Sequence, residues 1–393
     1  MEKPQSSMPV LAGAAHVLAG LPHLIGYHPS RSLVLVVSAV GDQPPSRSGG
    51  GPVRAEVQMT VRLDLPPAGH AGRLAHDLAG PVGRAGARSR GDLLVHAFVF
   101  DADPPVAVDV VEAVHRLVDV DGRLRLHDLL LVSGDRYLAV VEREERVLDD
   151  DEVTAALTCG LTSDWSKVPS AADVPAVADL VLRGRGAAAS REDVAAAVRR
   201  RDERASAATS LAIDVLALDP DRCRPVVGLE ALGSWVVHGT PEPTAHQRAQ
   251  LALALQDRWL RDAVLASWSP RLFQLEDILS PQEAEEVRRA VPPLRDPHEG
   301  ALDRLLALCA KVPAELTAPL YTVAGFLAWS VGEGTVANEA VDVALEVEPG
   351  YRMATLLQAV LAHGLPPWAA EAAVARAAAS TGDNLDEVAD GAA

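Results

Sequence analysis

Apolar positions change their spacing along this chain near residue 142. Before it, short continuous or alternating runs dominate. Leu33–Val40 is a continuous run, apolar but for Ser38, the mark of a strand buried on both faces. Arg54–Leu65 alternates apolar and polar residues, a half-buried strand that stops at Pro66-Pro67. Leu93–Phe100 (LLVHAFVF) is the clearest buried strand and is closed by Asp101-Ala102-Asp103-Pro104-Pro105. Leu124–Val132 and Arg136–Val141 predict a hairpin about Gly134-Asp135, a type I′ turn if the register allows it. Helical spacing predicts helices over Leu11–Leu21, His70–Leu78 and Val106–Val118; Pro81, Gly83 and Gly86 interrupt an extension of the second to Ala87. The Pro/Gly/Ser-rich stretch Gly41–Pro52 reads as a loop. The first and last strand pairs have no crossover helix between them, which disfavours a purely parallel sheet.

Beyond Glu142 the strand signals fade and period-3.6 patterns take over. They predict helices over Asp149–Cys159, Val174–Leu182, Arg191–Leu218, Pro225–Val237, Ala245–Ser267, Pro281–Val291, Leu302–Lys311, Pro319–Val331, Ala337–Glu346, Tyr351–His363 and Pro366–Ser380. Proline or glycine punctuates most joins. The fold class is therefore α+β: an N-terminal mixed β-sheet with packed helices over residues 1–142, an all-helical region over 143–380, and a frayed acidic tail over 381–393. Tyr321, Gly325, Ala337, Val341, Ala344 and Pro349 fall near the spacing of a tetratricopeptide unit. The next 34 residues repeat it poorly, so the segment fits either a generic helical hairpin or tetratricopeptide-like packing.

Charge sharpens this division. The chain has 393 residues, 36 Lys/Arg and 54 Asp/Glu, for a net charge of −18. Residues 1–143 carry 14 basic and 15 acidic residues, a net of −1, whereas 144–393 carry 22 and 39, a net of −17. An acidic surface argues against nucleic acid and against an anionic membrane, and points a basic protein partner to the helical region. The run Arg199-Arg200-Arg201 with Arg204 is interspersed with acids and reads as a solvated face or an ion-paired interface. The three cysteines, Cys159, Cys223 and Cys309, are far apart, as in a reducing cytoplasm, and form no zinc spacing. Met8–Gly26 imitates a secretory signal but carries His16, Pro22 and His23 in its apolar part; an amphipathic helix is the better reading. With only three lysines, a P-loop or Schiff-base lysine has almost no candidates.

The stretch LAGLPHLIGYHPSRSLVLVV (Leu18–Val37) resembles the opening motif of an actinobacterial family, domain of unknown function 4192. Gly26, Tyr27, His28, Pro29 and Ser32 match its Gly-aromatic-His-Pro-x-x-Ser core. Arg62-Leu63-Asp64-Leu65-Pro66 is similar to its second-strand motif, and Phe326–Pro367 to its closing motif. The resemblance implies a family label and no biochemical role. It also implies a cysteine pair shortly after the hairpin in many members. Glu142–Leu157 has none and is acidic, so no shared metal or redox role is carried over to that segment.

Candidate chemistry collects where strands begin and end. His28, Arg31 and Ser32 precede the first strand, Asp64 ends the second, and Asp101 and Asp103 end the third. In open α/β sheets ligands favour strand C-termini, and such aspartates can hold Mg²⁺ or act as a general base; they also cap turns and helices. The His28 turn precedes its strand while the aspartates follow theirs, an order that would set them at opposite ends. His28 either binds a ligand or pins its own turn. Eight of twelve histidines lie in the first 127 residues, without an HExxH or HxH set. No metal is assigned and the cofactor is unknown. The leading expectation is a cytoplasmic, non-catalytic interaction or scaffold protein; the alternative is an enzyme or a small-ligand or metal-binding protein with its site on the sheet domain.

Overall fold

A computed structural model describes residue 11 and residues 13–40, 55–85, 91–158, 165–182, 186–294 and 300–377. The Gly41–Pro52 loop, Ala87, Cys159, residues 378–380 and the tail lie outside the described residues. The chain divides into two compact units, Met1–Arg191 and Glu192–Ala393.

The first unit holds strands β1 (Ser32–Val40), β2 (Ala55–Asp64), β3 (Leu93–Phe100), β4 (Leu124–Ser133), β5 (Arg136–Glu142), β6 (Glu145–Arg146) and β7 (Ser166–Lys167). Its helices are α1 (Ala14–Ile25), α2 (Gly72–Ala85), α3 (Pro104–Val120), α4 (Asp150–Thr158) and α5 (Pro175–Leu182). The sheet order is β2-β1-β3-β4-β5-β6, with β7 paired to β5. Only β3 and β4 are parallel, joined through α3; the other pairs are antiparallel, as the missing crossover helices require. The mixed sheet is confirmed. The unit continues past Glu142, where the strand signals fade, because β6 and β7 have two residues each and so carry no periodicity.

Alternation along the strands sends side chains to two faces. Leu33, Leu35, Val37, Val95, Ala97, Val99, Leu129 and Leu131 pack under α2 and α3. Val34, Val36, Phe98, Phe100, Leu130 and Val132 pack under Leu18 and Leu21 of α1. Each such buried side chain contributes roughly 1.5–3 kcal/mol against its exposed state. The β4–β5 hairpin has a two-residue loop, but of its two residues only Gly134 has a left-handed φ, 57°. That pattern belongs to a type II′ turn rather than type I′.

The second unit is helical among its described residues: α6 (Arg191–Val198, whose first residue closes the first unit), α7 (Glu203–Leu218), α8 (Pro225–Gly233), α9 (Ala245–Ala254), α10 (Arg258–Trp268), α11 (Pro281–Ala290), α12 (Ala301–Cys309), α13 (Ala318–Ser330), α14 (Gly334–Val347) and α15 (Arg352–Ala362). A further helical stretch spans 367–377. Two long expected helices are split by aspartates. Asp202 accepts from the Ala205 amide and Asp257 from the Trp259 amide, each capping a new N-terminus. α13 is buried on all sides and lies at the centre of the unit's core. Its Gly325 lets α14 approach: a Cβ there would lie 3.2 Å from Val341 Cγ2 and 3.1 Å from Leu357 Cδ2. Arg199 is ion-paired within the unit, 2.7 Å from Glu346 and 3.5 Å from Glu339.

α8 and α9 pack against each other, and a Cβ on Gly228 would collide with the Leu251 backbone nitrogen. Gly228→Ala should therefore lower the unfolding free energy by about 1–3 kcal/mol or more. Gly83→Ala, in a helical position with nothing within 4 Å, should raise it by about 0.4–1 kcal/mol. Urea unfolding of both variants checks the contrast.

Candidate functional site

β1 runs antiparallel to β2 and to β3, so its first residue, Ser32, stands opposite Asp64 on one side and Phe100 on the other. The His28 turn and the strand-end aspartates therefore share one end of the sheet, which corrects the opposite-end arrangement suggested by their order in the chain. Arg31 Nη1 lies 3.4 Å from Asp103 Oδ2, and Arg62 Nη1 lies 2.6 Å from Asp64 Oδ1. Both Arg31 and Asp101 are left-handed, with φ of 41° and 50°. The Asp101 amide donates to the Val132 carbonyl, and the His28 amide to the Ala188 carbonyl. Asp103 is the N-cap of α3, yet its side chain makes no cap bond and meets Arg31 instead. The Arg31–Asp103 pair is 61% and 65% exposed, so it is worth at most about 1 kcal/mol. Ser32 is fully buried with its hydroxyl unbonded. Strand pairing thus brings these residues to one end of the sheet, where two ion pairs lie at the surface and Ser32 is buried.

A second group lies in the middle of the sheet. The pairing of β3 with β4 shifts register between Val95 and His96, leaving His127 as an extra residue. This β-bulge changes the parity of β4. Leu126 faces α3, while Asp128 turns to the same face as His96. His96 Nδ1 lies 2.6 Å from Asp128 Oδ2. A carboxylate only accepts, so His96 Nδ1 carries the proton in this bond. The second oxygen of Asp128 accepts from the Arg143 amide at 3.2 Å. Arg143 and Glu144 form the β5–β6 turn with φ of 50° and 73°, a left-handed pair made without glycine. Asp128 and the bond from the Glu144 amide to the His127 carbonyl (2.8 Å) hold that turn in place. The His127 ring meets His96 edge-on at 5.2 Å; its Nδ1 is buried without a hydrogen bond, 3.5 Å from Glu144 Oε1. Burial alone would raise the Asp128 pKa. The His96 hydrogen bond, the Arg143 amide and the charges of His96 and His127 outweigh it, and the net direction is down.

His127 and Asp128 open on a cavity of about 940 Å³ within the first unit. Leu130, Tyr137 and Ala139 give it an apolar wall, and Glu142, Arg143 and Glu152 bring charge. This arrangement can grip a ligand N–H and hold or pass a proton. Among the described residues no group of three or more His, Cys, Asp and Glu is placed to hold a metal ion. Sequence reasoning missed this cluster. Its signal is the polar pair His127-Asp128 interrupting LRLHDLLLV, two adjacent polar residues in a strand where alternation allows one.

A family model, Domain of unknown function (DUF4192), matches residues 15–368. The chain belongs to that family. The match covers both the opening motif at Gly26–Ser32 and the closing motif at Phe326–Pro367 of this DUF4192 chain. No curated protein and no solved structure matches it. Among its described residues no helix is long and apolar enough to cross a membrane.

Because the Asp128 pKa is lowered on folding, its contribution to stability is complete above the ordinary carboxylate value of 3.8 and is lost as pH falls through the lower folded value. The stability gap between wild type and Asp128→Asn should shrink as pH falls below about pH 4. Chemical unfolding as a function of pH checks it; a gap that widens on acidification would contradict the assignment.

Proposed function

We propose that this DUF4192 chain is a non-catalytic interaction or scaffold protein whose acidic helical unit receives a basic protein partner. The observation that carries this reading is the outer face of α7. Leu211, Val215 and Leu218 are 67%, 55% and 86% exposed and fall at i, i+4 and i+7, a continuous apolar stripe one helix face wide. The opposite face, with Ser206, Thr209 and Leu216, is buried. Glu203 and Asp214 flank the stripe, while Asp219 at its end is paired with Arg222 at 2.8 Å; the acidic flank matches a partner that offers an apolar helix face rimmed by lysine or arginine. The same acidity disfavours nucleic acid and anionic membranes as partners.

Chemistry elsewhere agrees with this reading. Arg31, Asp64 and Asp103 are engaged in ion pairs on an exposed surface. Cys309 is fully buried, and burial pushes its thiol up to about 12, which makes it inert. We place the protein in the reducing cytoplasm of an actinobacterial cell and read α13 and α14 as a generic helical hairpin, with tetratricopeptide-like packing as the alternative. The alternative, a small-ligand site or an active site on the sheet unit, has the cavity beside Asp128 in its favour.

Affinity purification at moderate salt from the native cell, with wild type and Leu211→Asp/Leu218→Asp in parallel, tests the interaction. Both positions are exposed, so the double variant should melt within a few degrees of wild type. A partner recovered reproducibly with wild type and lost with the variant is expected. Recovery of the same proteins by both, or of none by wild type, would count against the scaffold.

A further inference from the structure

We propose that the cavity of the sheet unit is a binding site for a small organic cation: an amine or guanidinium on an apolar body, anchored by Asp128 and Glu142. The volume of about 940 Å³ suits a molecule of that class. The charges select its sign. Asp128, Glu142 and Glu152 line the cavity against one guanidinium, that of Arg143, and the imidazoles of His16 and His127. The Asp128 side chain is only 3% exposed, and each of its oxygens has one donor, His96 on one and the Arg143 amide on the other. A carboxylate accepts up to about four hydrogen bonds, so these two donors leave lone pairs on Asp128, and the small exposed part of its side chain can offer one to a ligand N–H. His127 is part of the same wall, with its buried Nδ1 turned to Glu144 Oε1 at 3.5 Å.

Glu152 is already committed. It closes a capping box at the start of α4, with its carboxylate on the Asp149 amide and its own amide on Asp149 Oδ1. Glu142 ends β5 at the rim and is exposed, so it meets an incoming cation first. The body of the ligand then lies on Leu130, Ala139 and the Tyr137 ring, whose face also favours a cation. Leu130 and Ala139 are cross-strand partners, and Tyr137 projects from the same face of β5, two residues from Ala139.

Calorimetric titration of the full chain with three probes of one shape tests the assignment: phenethylamine (cation), 2-phenylethanol (neutral) and 3-phenylpropionate (anion). Phenethylamine should bind about tenfold or more tightly than the alcohol, and the carboxylate should not bind. Glu142→Gln, an exposed change that leaves the melting temperature unaltered, should weaken phenethylamine about threefold to fivefold and leave the alcohol unchanged. Asp128→Asn should remove the preference for the cation wherever it folds. Equal or tighter binding of the alcohol or the carboxylate, no binding of phenethylamine, or unchanged affinity in Glu142→Gln would each overturn the proposal.

Discussion

β1 is hydrogen-bonded along both edges and apolar on both faces, and it imposes the layout of the sheet unit. A strand with no edge and no polar face has to be covered twice. α1 supplies one layer, and α2 with α3 the other. Two antiparallel neighbours also fix where the chain must return, so the start of β1 meets the ends of β2 and β3. The His28 turn, Asp64 and Asp101 are neighbours for this reason.

Polar residues inside such a sheet need their own arrangement. His96 belongs to a strand whose other members are almost all buried and apolar, and its place there rests on Asp128. The bulge at His127 makes the pairing possible by turning Asp128 to the His96 face. The same carboxylate then fastens the β5–β6 turn, whose two left-handed residues would otherwise cost about 1–3 kcal/mol each with nothing to hold them. One side chain thus satisfies a buried histidine, stabilises a strained turn and faces a cavity.

Most of the fold was legible because its elements are long and regular. Leu93–Phe100 was bounded to the residue, and the α+β division follows from the change of period. Failures trace to features with no period. β6 and β7 have two residues each, and the bulge is a single extra residue. Asp202 and Asp257 were visible as caps, yet the apolar pattern on either side ran through them and hid the breaks. The site was less legible than the fold. Arg31 and Asp103 do meet, but the buried pair His96–Asp128 lies 32 residues apart, and only the register of β3 on β4 joins it.

α13 touches α10, α12, α14 and α15, and nearly all of its residues are buried. In a linear repeat array each unit meets only its neighbours, so the array can fray from an end and lose its helices one pair at a time. A helix enclosed in this way does not permit that. Removing any one of its four partners exposes part of α13, and losing α13 leaves all four with an open face. The helical unit should therefore behave as one cooperative block, with few partly folded forms between native and unfolded.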